Sequence, residues 1–342
     1  MLLIVRPGGD TGLDPRNASV LNVKTNVLDP PHLGQCGNKP ETGHARYSHP
    51  ERPSIIQPET HADGERDLDR LASWLHVARN DGPLILSVPH AGVDIPAPLA
   101  AGLSSAWLAR RDADWWIDKL YDFGDALGAT VVRTSISRTV IDVNRDPSGA
   151  SLYPGQATTE LCPTTTFDGE PLYRSNATPD AAAIEERREN YYVPYHAALT
   201  SEIARLRAQH AALVLYDCHS IRSRIPRLFA GDLPNFNLGT HNGRSCAAAL
   251  TTALERICGA TDYSCVTNGR FKGGYITRHY GRPDEGVHAI QMELACRGYM
   301  REKPGPVDPG SWPPDYDQRA AAPMRQALKD ILGACLAFAQ SV

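Results

Sequence analysis

The stretch Leu84-Ile-Leu-Ser-Val-Pro-His-Ala-Gly92 decides how this chain folds. Its apolar, β-type run stops at a proline and is followed at once by His90. A second run, Ala212-Leu-Val-Leu-Tyr-Asp-Cys-His-Ser220, has the same form and delivers His219. In an open α/β sheet, ligands bind in the crevice beyond the carboxyl ends of the strands. Two histidines that reach this edge from different strands therefore indicate a metal site.

The composition limits the class of protein. With 342 residues, 42% of them hydrophobic and 22% charged, the chain can build a globular core. Its net charge of −4 gives no basic face, so nucleic acid is not an expected partner. No run approaches the roughly 18 apolar residues of a membrane span, and no secretory signal is visible. Eight cysteines without a Cys-x-x-Cys pair are expected to be free thiols, which predicts a cytoplasmic location.

Residues 1–66 differ from the rest of the chain. They contain eight prolines and four histidines but only one aromatic residue, Tyr47, and they lack helical or strand periodicity. Such a segment cannot bury enough apolar surface to offset the entropy cost of ordering. A disordered N-terminal extension is therefore predicted for 1–66, and a single folded domain for 67–342.

Strand and helix patterns alternate from residue 67 onward. This alternation favours an α/β fold with a mostly parallel sheet covered by helices on both faces. The predicted strands are Leu84–Val88, Thr130–Thr134, Thr139–Val143, Ala212–Asp217, Arg227–Ala230, Tyr263–Thr267 and His288–Leu294. The predicted helices are Asp114–Leu127, Ala181–Ala208, Arg244–Cys258 and Asp317–Ala339.

A metal site needs a third ligand beside the two histidines. Zinc hydrolases commonly use three protein ligands drawn from histidine and carboxylate, with one position left for water. Asp114 and Asp118 lie one turn apart on a predicted helix, but a solvated helix face explains that spacing equally well. The candidate carboxylates are Asp94, Asp112, Asp114 and Asp118.

Glu293 is a candidate general base. Strand alternation places Gln291 and Glu293 on one face, opposite Ile290, Met292 and Leu294. A carboxylate in so apolar a strand needs a reason. It either forms a structural ion pair or takes the proton of a metal-bound water.

Arginines and glycines supply candidates for substrate binding. Arg138 and Asn144-Arg145 flank an apolar run, and a planar guanidinium is suited to gripping a carboxylate. A salt bridge to one of the chain's own acids is the alternative. Gly273 and Gly274 permit close backbone approach to a substrate or form a turn.

Six motifs occur in an order that resembles the N-formylglutamate amidohydrolase (N-formylglutamate deformylase) family of histidine degradation. The resemblance covers about residues 70–300 and leaves out residues 1–66. The motifs are Pro89-His-Ala-Gly92, Asp114 through Asp118, Asp142-Val-Asn-Arg145, Asp217-Cys-His-Ser220, Gly273-Gly-Tyr-Ile-Thr-Arg278 and Gln291-Met-Glu293.

The resemblance implies a three-layer α/β/α sandwich like that of the zinc carboxypeptidases, with 67–342 as the catalytic domain. It implies a divalent metal, Zn²⁺ by analogy, held by His90, Asp114 and His219. The carboxypeptidase pattern has its carboxylate three residues after the first histidine, where this chain has Val93. Asp94 and Asp118 therefore remain alternatives to Asp114.

The resemblance also implies the reaction, in which N-formyl-L-glutamate and water give L-glutamate and formate. Metal-bound hydroxide would attack the formyl carbon, and Glu293 would serve as base and then as acid. Asn144 and Arg145, with Arg138, would hold the small acidic substrate. The alternatives are a related metallo-amidase for another N-acyl amino acid or short acidic peptide, and a non-catalytic metal- or ligand-binding protein.

Overall fold

A computed structural model describes residues 73–342 of the chain, and seven strands within that range form one mixed sheet. The prediction for residues 1–66 lies outside the described residues. The spatial order of the strands is β1-β3-β2-β4-β7-β5-β6. Their bounds are β1 Leu75–Ala78, β2 Leu84–Val88, β3 Thr130–Thr134, β4 Leu213–Ile221, β5 Phe236–Gly239, β6 Cys265–Thr267 and β7 Val287–Ala295.

The sheet is mostly parallel, as predicted. Strand β2 runs parallel to β3 and β4, β4 parallel to β7, and β5 parallel to β6. Only the β1–β3 and β5–β7 pairs are antiparallel. The carboxyl ends of β2, β4 and β7 therefore meet at one edge, where parallel sheets bind ligands.

Helices cover both faces of this sheet. Helix α5 (Val193–Arg207) contacts β2, β3 and β4 on one face. Helix α8 (Gln318–Ser341) contacts β2 and β4 on the other face, where it also packs on α6 (Ala248–Gly259). The predicted α/β/α sandwich is confirmed. The helices are α1 Ala97–Ala100, α2 Leu108–Arg111, α3 Ile117–Leu120, α4 Ala181–Arg187, α5 Val193–Arg207, α6 Ala248–Gly259, α7 Tyr275–Tyr280 and α8 Gln318–Ser341. No helix within 73–342 combines the length and apolarity needed to cross a bilayer.

Strand alternation divides the core into two layers. Leu84, Leu86 and Val88 of β2 pack in the layer that contains α6 and α8. Ile85 packs in the opposite layer, against α5. Because successive side chains of a strand point to opposite faces, the nearly continuous apolar runs of β2 and β4 serve both layers.

Two predicted strands are wrong. Thr139–Val143 and Arg227–Ala230 form turns and irregular segments instead. Val140, Ile141 and Val143 are buried in the α5 layer, so their β-branched pattern reflects the burial of a turn and not strand pairing. Conversely, β1 and β5 were not predicted, because both are four residues long and β5 contains asparagine and glycine.

The predicted helix Asp114–Leu127 is also wrong as a continuous element. Trp116 has a left-handed φ of 65°, which interrupts the helical path after Asp114. The chain then forms only α3 and a 3-10 segment, Asp122–Leu127. Asp114 and Asp118 therefore do not share a helix face.

The other helices and strands differ from prediction mainly at their ends. The predicted helix Ala181–Ala208 is α4 and α5 joined by a π-helical segment, Arg188–Tyr192. Helix α6 begins four residues later than predicted. Strand β4 continues to Ile221, so His219 lies within the strand near its carboxyl end.

Candidate active site

The fold brings His90, Asp114 and His219 together at the carboxyl edge of the sheet. His90 follows β2, His219 belongs to β4, and Asp114 lies in the turn between α2 and α3. The backbone N–H of Asp114 donates to the carbonyl of His90 over 2.9 Å, which ties this turn to the end of β2. One potential ligand atom from each of the three residues lies within 4.8 Å of the other two, and all three residues are buried.

The Nδ1 atoms of both histidines face Asp114. Asp114 Oδ2 lies 3.1 Å from His219 Nδ1 and 3.8 Å from His90 Nδ1. On the opposite side of each ring, Nε2 lies beside a second carboxylate. His90 Nε2 is hydrogen-bonded to Asp142 Oδ1 over 2.7 Å. His219 Nε2 lies 2.9 Å from Asp217 Oδ2 as an ion pair and is hydrogen-bonded to Asn144 Nδ2 over 2.9 Å. Carboxylates in this position fix the tautomer and orientation of metal-binding histidines.

The donor set fits a divalent metal ion. His90 Nδ1 is buried and has no hydrogen-bond partner among residues 73–342. Buried polar atoms without partners are rare in folded proteins, and a bound ion is one way to satisfy them. Two imidazole nitrogens with one carboxylate oxygen form a ligand set used by hydrolytic zinc.

The charges around the two histidines also favour a cation. Burial and the nearby Arg138 lower the pKa of His90, so this ring is neutral and able to act as a ligand. Burial acts in the same direction on His219. The carboxylates of Asp217 and Asp114 outweigh it and raise the pKa of His219 well above its usual value. The pocket around His219 is therefore negative enough to attract positive charge.

Asp142 and Asp217 are themselves held in place. Asp142 accepts from Arg138 Nη2 over 2.7 Å and from the backbone N–H of Asn144 over 2.9 Å. Asp217 accepts from Ser87 Oγ over 2.9 Å and from Asn144 Nδ2 over 3.0 Å. The sequence interpretation gave neither aspartate a role. For Asp217 a signal existed, because it lies two residues before His219 and so on the same strand face.

The other candidate carboxylates lie outside the group formed by the two histidines and Asp114. Asp118 forms a half-exposed salt bridge with Arg133 at 3.1 Å. Asp112 accepts a 2.6 Å hydrogen bond from the backbone of Phe167 and pairs with arginines. The backbone of Asp94 forms a bridge with Ile136, away from the two histidines.

Glu293 lies beside this group. It is opposite His219 in the parallel register of β4 and β7 and is 6% exposed. Burial raises the pKa of Glu293 to about 7. Gln291 Nε2 donates to its carboxylate over 3.1 Å, and Gln291 Oε1 accepts from the backbone N–H of Gly274 over 2.6 Å. Gln291 therefore couples Glu293 to the segment that precedes α7.

His90, His219 and Glu293 line one cavity at the carboxyl edge of the sheet. Its wall also contains four residues from the predicted substrate set, namely Arg138, Asn144, Arg145 and Gly274. Gly273 does not line it. Gly273 has a φ of 103°, and a Cβ at Gly274 would lie 2.5 Å from the amide nitrogen of Asn144. The two glycines thus allow the backbone to approach Asn144, whatever they also do for a substrate.

The predicted polar residues of this wall differ in what they contact. Arg138 lies between Asp114 at 3.3 Å and Asp142 at 2.7 Å, so its charge is compensated within the protein. Arg145 donates to Thr159 and lies 3.6 Å from Asp142. The amide of Asn144 is fully engaged, since its Oδ1 accepts from the backbone of α7 and its Nδ2 contacts both Asp217 Oδ2 and His219 Nε2.

This mostly parallel α/β sheet carries at its carboxyl edge a buried glutamate and a buried His–Asp–His group that could hold a metal ion, a ligand set that zinc hydrolases use. A sequence profile of the N-formylglutamate amidohydrolase family matches residues 82–300. The chain is 44% identical over 259 residues to an N-formylglutamate deformylase from Pseudomonas aeruginosa, covering 75% of this chain and 96% of that protein. The chain belongs to the N-formylglutamate amidohydrolase family and is a hydrolase.

Two further proteins resemble the chain, one in sequence and one in fold. An N-formylglutamate deformylase from Pseudomonas putida is 46% identical over 257 residues, which is 75% of this chain and 93% of that protein. The crystal structure of N-formylglutamate amidohydrolase from Ralstonia eutropha JMP134 matches with a TM-score of 0.62. That match covers 79% of this chain and 98% of the other at 23% identity, so it supports the fold alone.

Proposed function

We propose that this chain hydrolyses N-formyl-L-glutamate to L-glutamate and formate, as the names of its relatives suggest, in the course of histidine degradation. The observation that carries the metal-dependent form of this proposal is the buried, unpartnered Nδ1 of His90. It faces Asp114 and His219, and Glu293 opens onto the same cavity. The seven described cysteines are free, which supports a cytoplasmic location.

His90, Asp114 and His219 would hold the metal, and zinc matches their donor set. When bound, the metal supplies a Lewis acid that acidifies a water molecule and polarises the formyl oxygen. The second carboxylates, Asp142 and Asp217, keep both imidazoles oriented with Nδ1 toward the site. The protein thus fixes the donors before substrate arrives.

Glu293 moves the proton in this reaction. Its carboxylate accepts a proton from the attacking water and returns it to the leaving amine nitrogen when the formyl C–N bond breaks. Gln291 holds one oxygen of this carboxylate through its side-chain amide. A pKa raised to about 7 by burial suits a group that must both accept and donate a proton near neutral pH.

Substrate binding is assigned to the basic wall of the cavity. Arg145 would grip a carboxylate of the substrate, because its compensation by Asp142 is weaker than that of Arg138. Arg138 forms ion pairs with Asp114 and Asp142 and so neutralises part of their charge. Asn144 positions Asp217, and Gly274 leaves room for the backbone beside the substrate.

The experiment that tests this function couples metal analysis of the purified protein to formate release. N-Formyl-L-glutamate, N-formyl-L-aspartate and N-acetyl-L-glutamate are assayed side by side with zinc supplied and after chelation. Chelator-sensitive turnover with N-formylglutamate as the best substrate is expected. Preference for the acetyl compound would assign the chain to another acylamino-acid amidase. Full activity in metal-free protein would remove the metal from the proposal.

A further inference from the structure

We propose that Arg270 recognises the side-chain carboxylate of the substrate and thereby selects a glutamate derivative over an uncharged one. This inference rests on the proposed hydrolysis of N-formylglutamate and adds a specificity residue to it. Neither the sequence motifs nor the candidate metal ligands His90, Asp114 and His219 (called the metal group below) point to Arg270. Its place in the cavity wall does.

The guanidinium of Arg270 is held rigidly from two sides. Its Nε donates to the carbonyl of Leu228 and its Nη2 to the carbonyl of Ala157, each over 2.9 Å. The rings of Tyr153 and Phe271 lie 5.5 and 5.3 Å from its central carbon. Its Nη1, which carries two N–H groups, makes no hydrogen bond to any residue of the described range, and Arg270 lines the cavity. A pre-oriented guanidinium loses little entropy when it binds a carboxylate.

The charge of Arg270 has no counterion in the described part of the chain, where no carboxylate lies within salt-bridge distance of it. Arg138, in the same cavity, is compensated by both Asp114 and Asp142. A partly buried cation without an internal partner is unfavourable unless a ligand supplies the opposite charge. Arg270 is therefore suited to an anionic group that arrives with the substrate.

The positions of Arg145 and Arg270 indicate which substrate carboxylate each arginine binds. Arg145 lies 3.6 Å from Asp142, which binds His90, so it stands near the metal group. The α-carboxylate, one carbon from the reacting amide, belongs there. The γ-carboxylate lies two methylene groups farther out. The apolar side chains of Leu228 and Phe271 beside Arg270 suit those methylenes.

The test compares N-formyl-L-glutamate with N-formyl-L-glutamine, in which a neutral amide replaces the γ-carboxylate. Arg270→Gln should lower kcat/KM for the glutamate substrate at least about 30-fold, the scale of a lost charge-assisted pair, and lower it much less for the glutamine substrate. Arg145→Gln should lower both by similar factors, because both substrates carry the α-carboxylate. Retained turnover of the glutamine substrate also shows that the Arg270→Gln variant is folded.

Arg278→Gln is the matched control. Arg278 donates to the carbonyls of Leu152 and Gly273 and lies 4.8 Å from the Tyr153 ring, so it ties the same loop without lining the cavity. It should leave the preference for the glutamate substrate unchanged. Equal losses on both substrates in Arg270→Gln, or no loss on either, would overturn the assignment. So would a selective loss in Arg145→Gln.

Binding of L-glutamate and L-glutamine, measured by calorimetry on the same proteins, separates this inference from the proposed function. A wild-type protein that hydrolyses neither formyl substrate would contradict the function. Arg270 would still be supported if the wild type prefers L-glutamate and Arg270→Gln loses that preference. It would be rejected if the preference is absent from the wild type or survives in the variant.

Discussion

The two faces of the central sheet use the same strands for different purposes. On the face toward α6 and α8, His288 at the amino end of β7 packs against Phe338 of α8, and the side chains that follow it, Ile290, Met292 and Leu294, are apolar. On the face toward α5, Ala289 is apolar, but Gln291 and Glu293 follow it toward the carboxyl end. All of these residues are buried.

Strand β4 repeats this difference. Val214, Tyr216 and Cys218 join the apolar layer, whereas Leu215 is followed on the other face by Asp217 and then His219. Burying charged groups costs free energy unless they are paired, and these are paired with one another and with Ser87. One face therefore stabilises the sheet, while the carboxyl end of the other carries the chemistry. Substitutions at adjacent residues of one strand should therefore separate effects on stability from effects on activity.

The largest expected effect is at Glu293. Glu293→Gln keeps the size of the side chain and its contact with Gln291 but removes the proton acceptor. We expect kcat to fall at least about 10²-fold with metal content and melting temperature close to wild type. Steady-state formate release, metal analysis and a thermal melt measure the three quantities. A kcat near that of the wild type would remove Glu293 from the mechanism.

The adjacent residue, Met292, should behave in the opposite way. It is fully buried in the α6–α8 layer, so Met292→Ala should lower the free energy of unfolding by about 2–5 kcal/mol. Urea unfolding measures this loss. The kcat/KM of the folded fraction should stay near wild type, because Met292 points away from the cavity. A loss of activity as large as that of Glu293→Gln would mean that the two faces are not separable.

The sequence predicted the apolar and polar faces of the sheet well where the strands are long. Alternation placed Gln291 and Glu293 opposite Met292, and the structure agrees. Two histidines at strand ends predicted the meeting point of His90 and His219, although β4 continues past His219. These features depend on local periodicity and on parallel strands ending at one edge.

Features that depend on the path between strands were not predictable. The apolar pattern of 139–143 predicted a strand, but the segment is a buried turn that directs Asp142 to His90. The helical spacing of Asp114 and Asp118 was misleading, since Trp116 breaks the helix and sends Asp118 to Arg133. Arg270 has no distinguishing pattern, because its role depends on a cavity assembled from distant segments.

A smaller effect is expected at Asp217, which orients His219 but does not face its Nδ1. Asp217→Asn should weaken metal binding about 10- to 100-fold, because it removes the carboxylate charge that lies 2.9 Å from His219 Nε2 and helps to orient this ring. Competition with a chelator of known affinity measures this change. Tyr216→Phe, which removes a buried hydroxyl bonded to Tyr121 on the opposite face, should leave metal affinity unchanged. Equal effects of the two substitutions would show that general loosening of β4 is the cause.

The smallest effect is expected at Ser87, the polar residue of β2 on the α5 face. Its hydroxyl donates to Asp217 Oδ1 over 2.9 Å and lies 3.0 Å from the hydroxyl of Tyr195. Ser87→Ala removes one of the two side-chain hydrogen bonds that hold Asp217, while Asn144 still holds the other oxygen. One such bond contributes about 0.5–1.5 kcal/mol, so metal affinity should fall about two- to tenfold.

A double-mutant cycle distinguishes this route from a general effect on stability. If Ser87 acts only by orienting Asp217, Ser87→Ala should have almost no further effect on metal affinity once Asp217→Asn is present. Chelator competition on the wild type, both single variants and the double variant gives the coupling free energy. Additive losses would mean that Ser87 influences the metal group through the backbone of β2 and the position of His90. The polar face would then depend on the strand itself and not on a chain of side-chain hydrogen bonds.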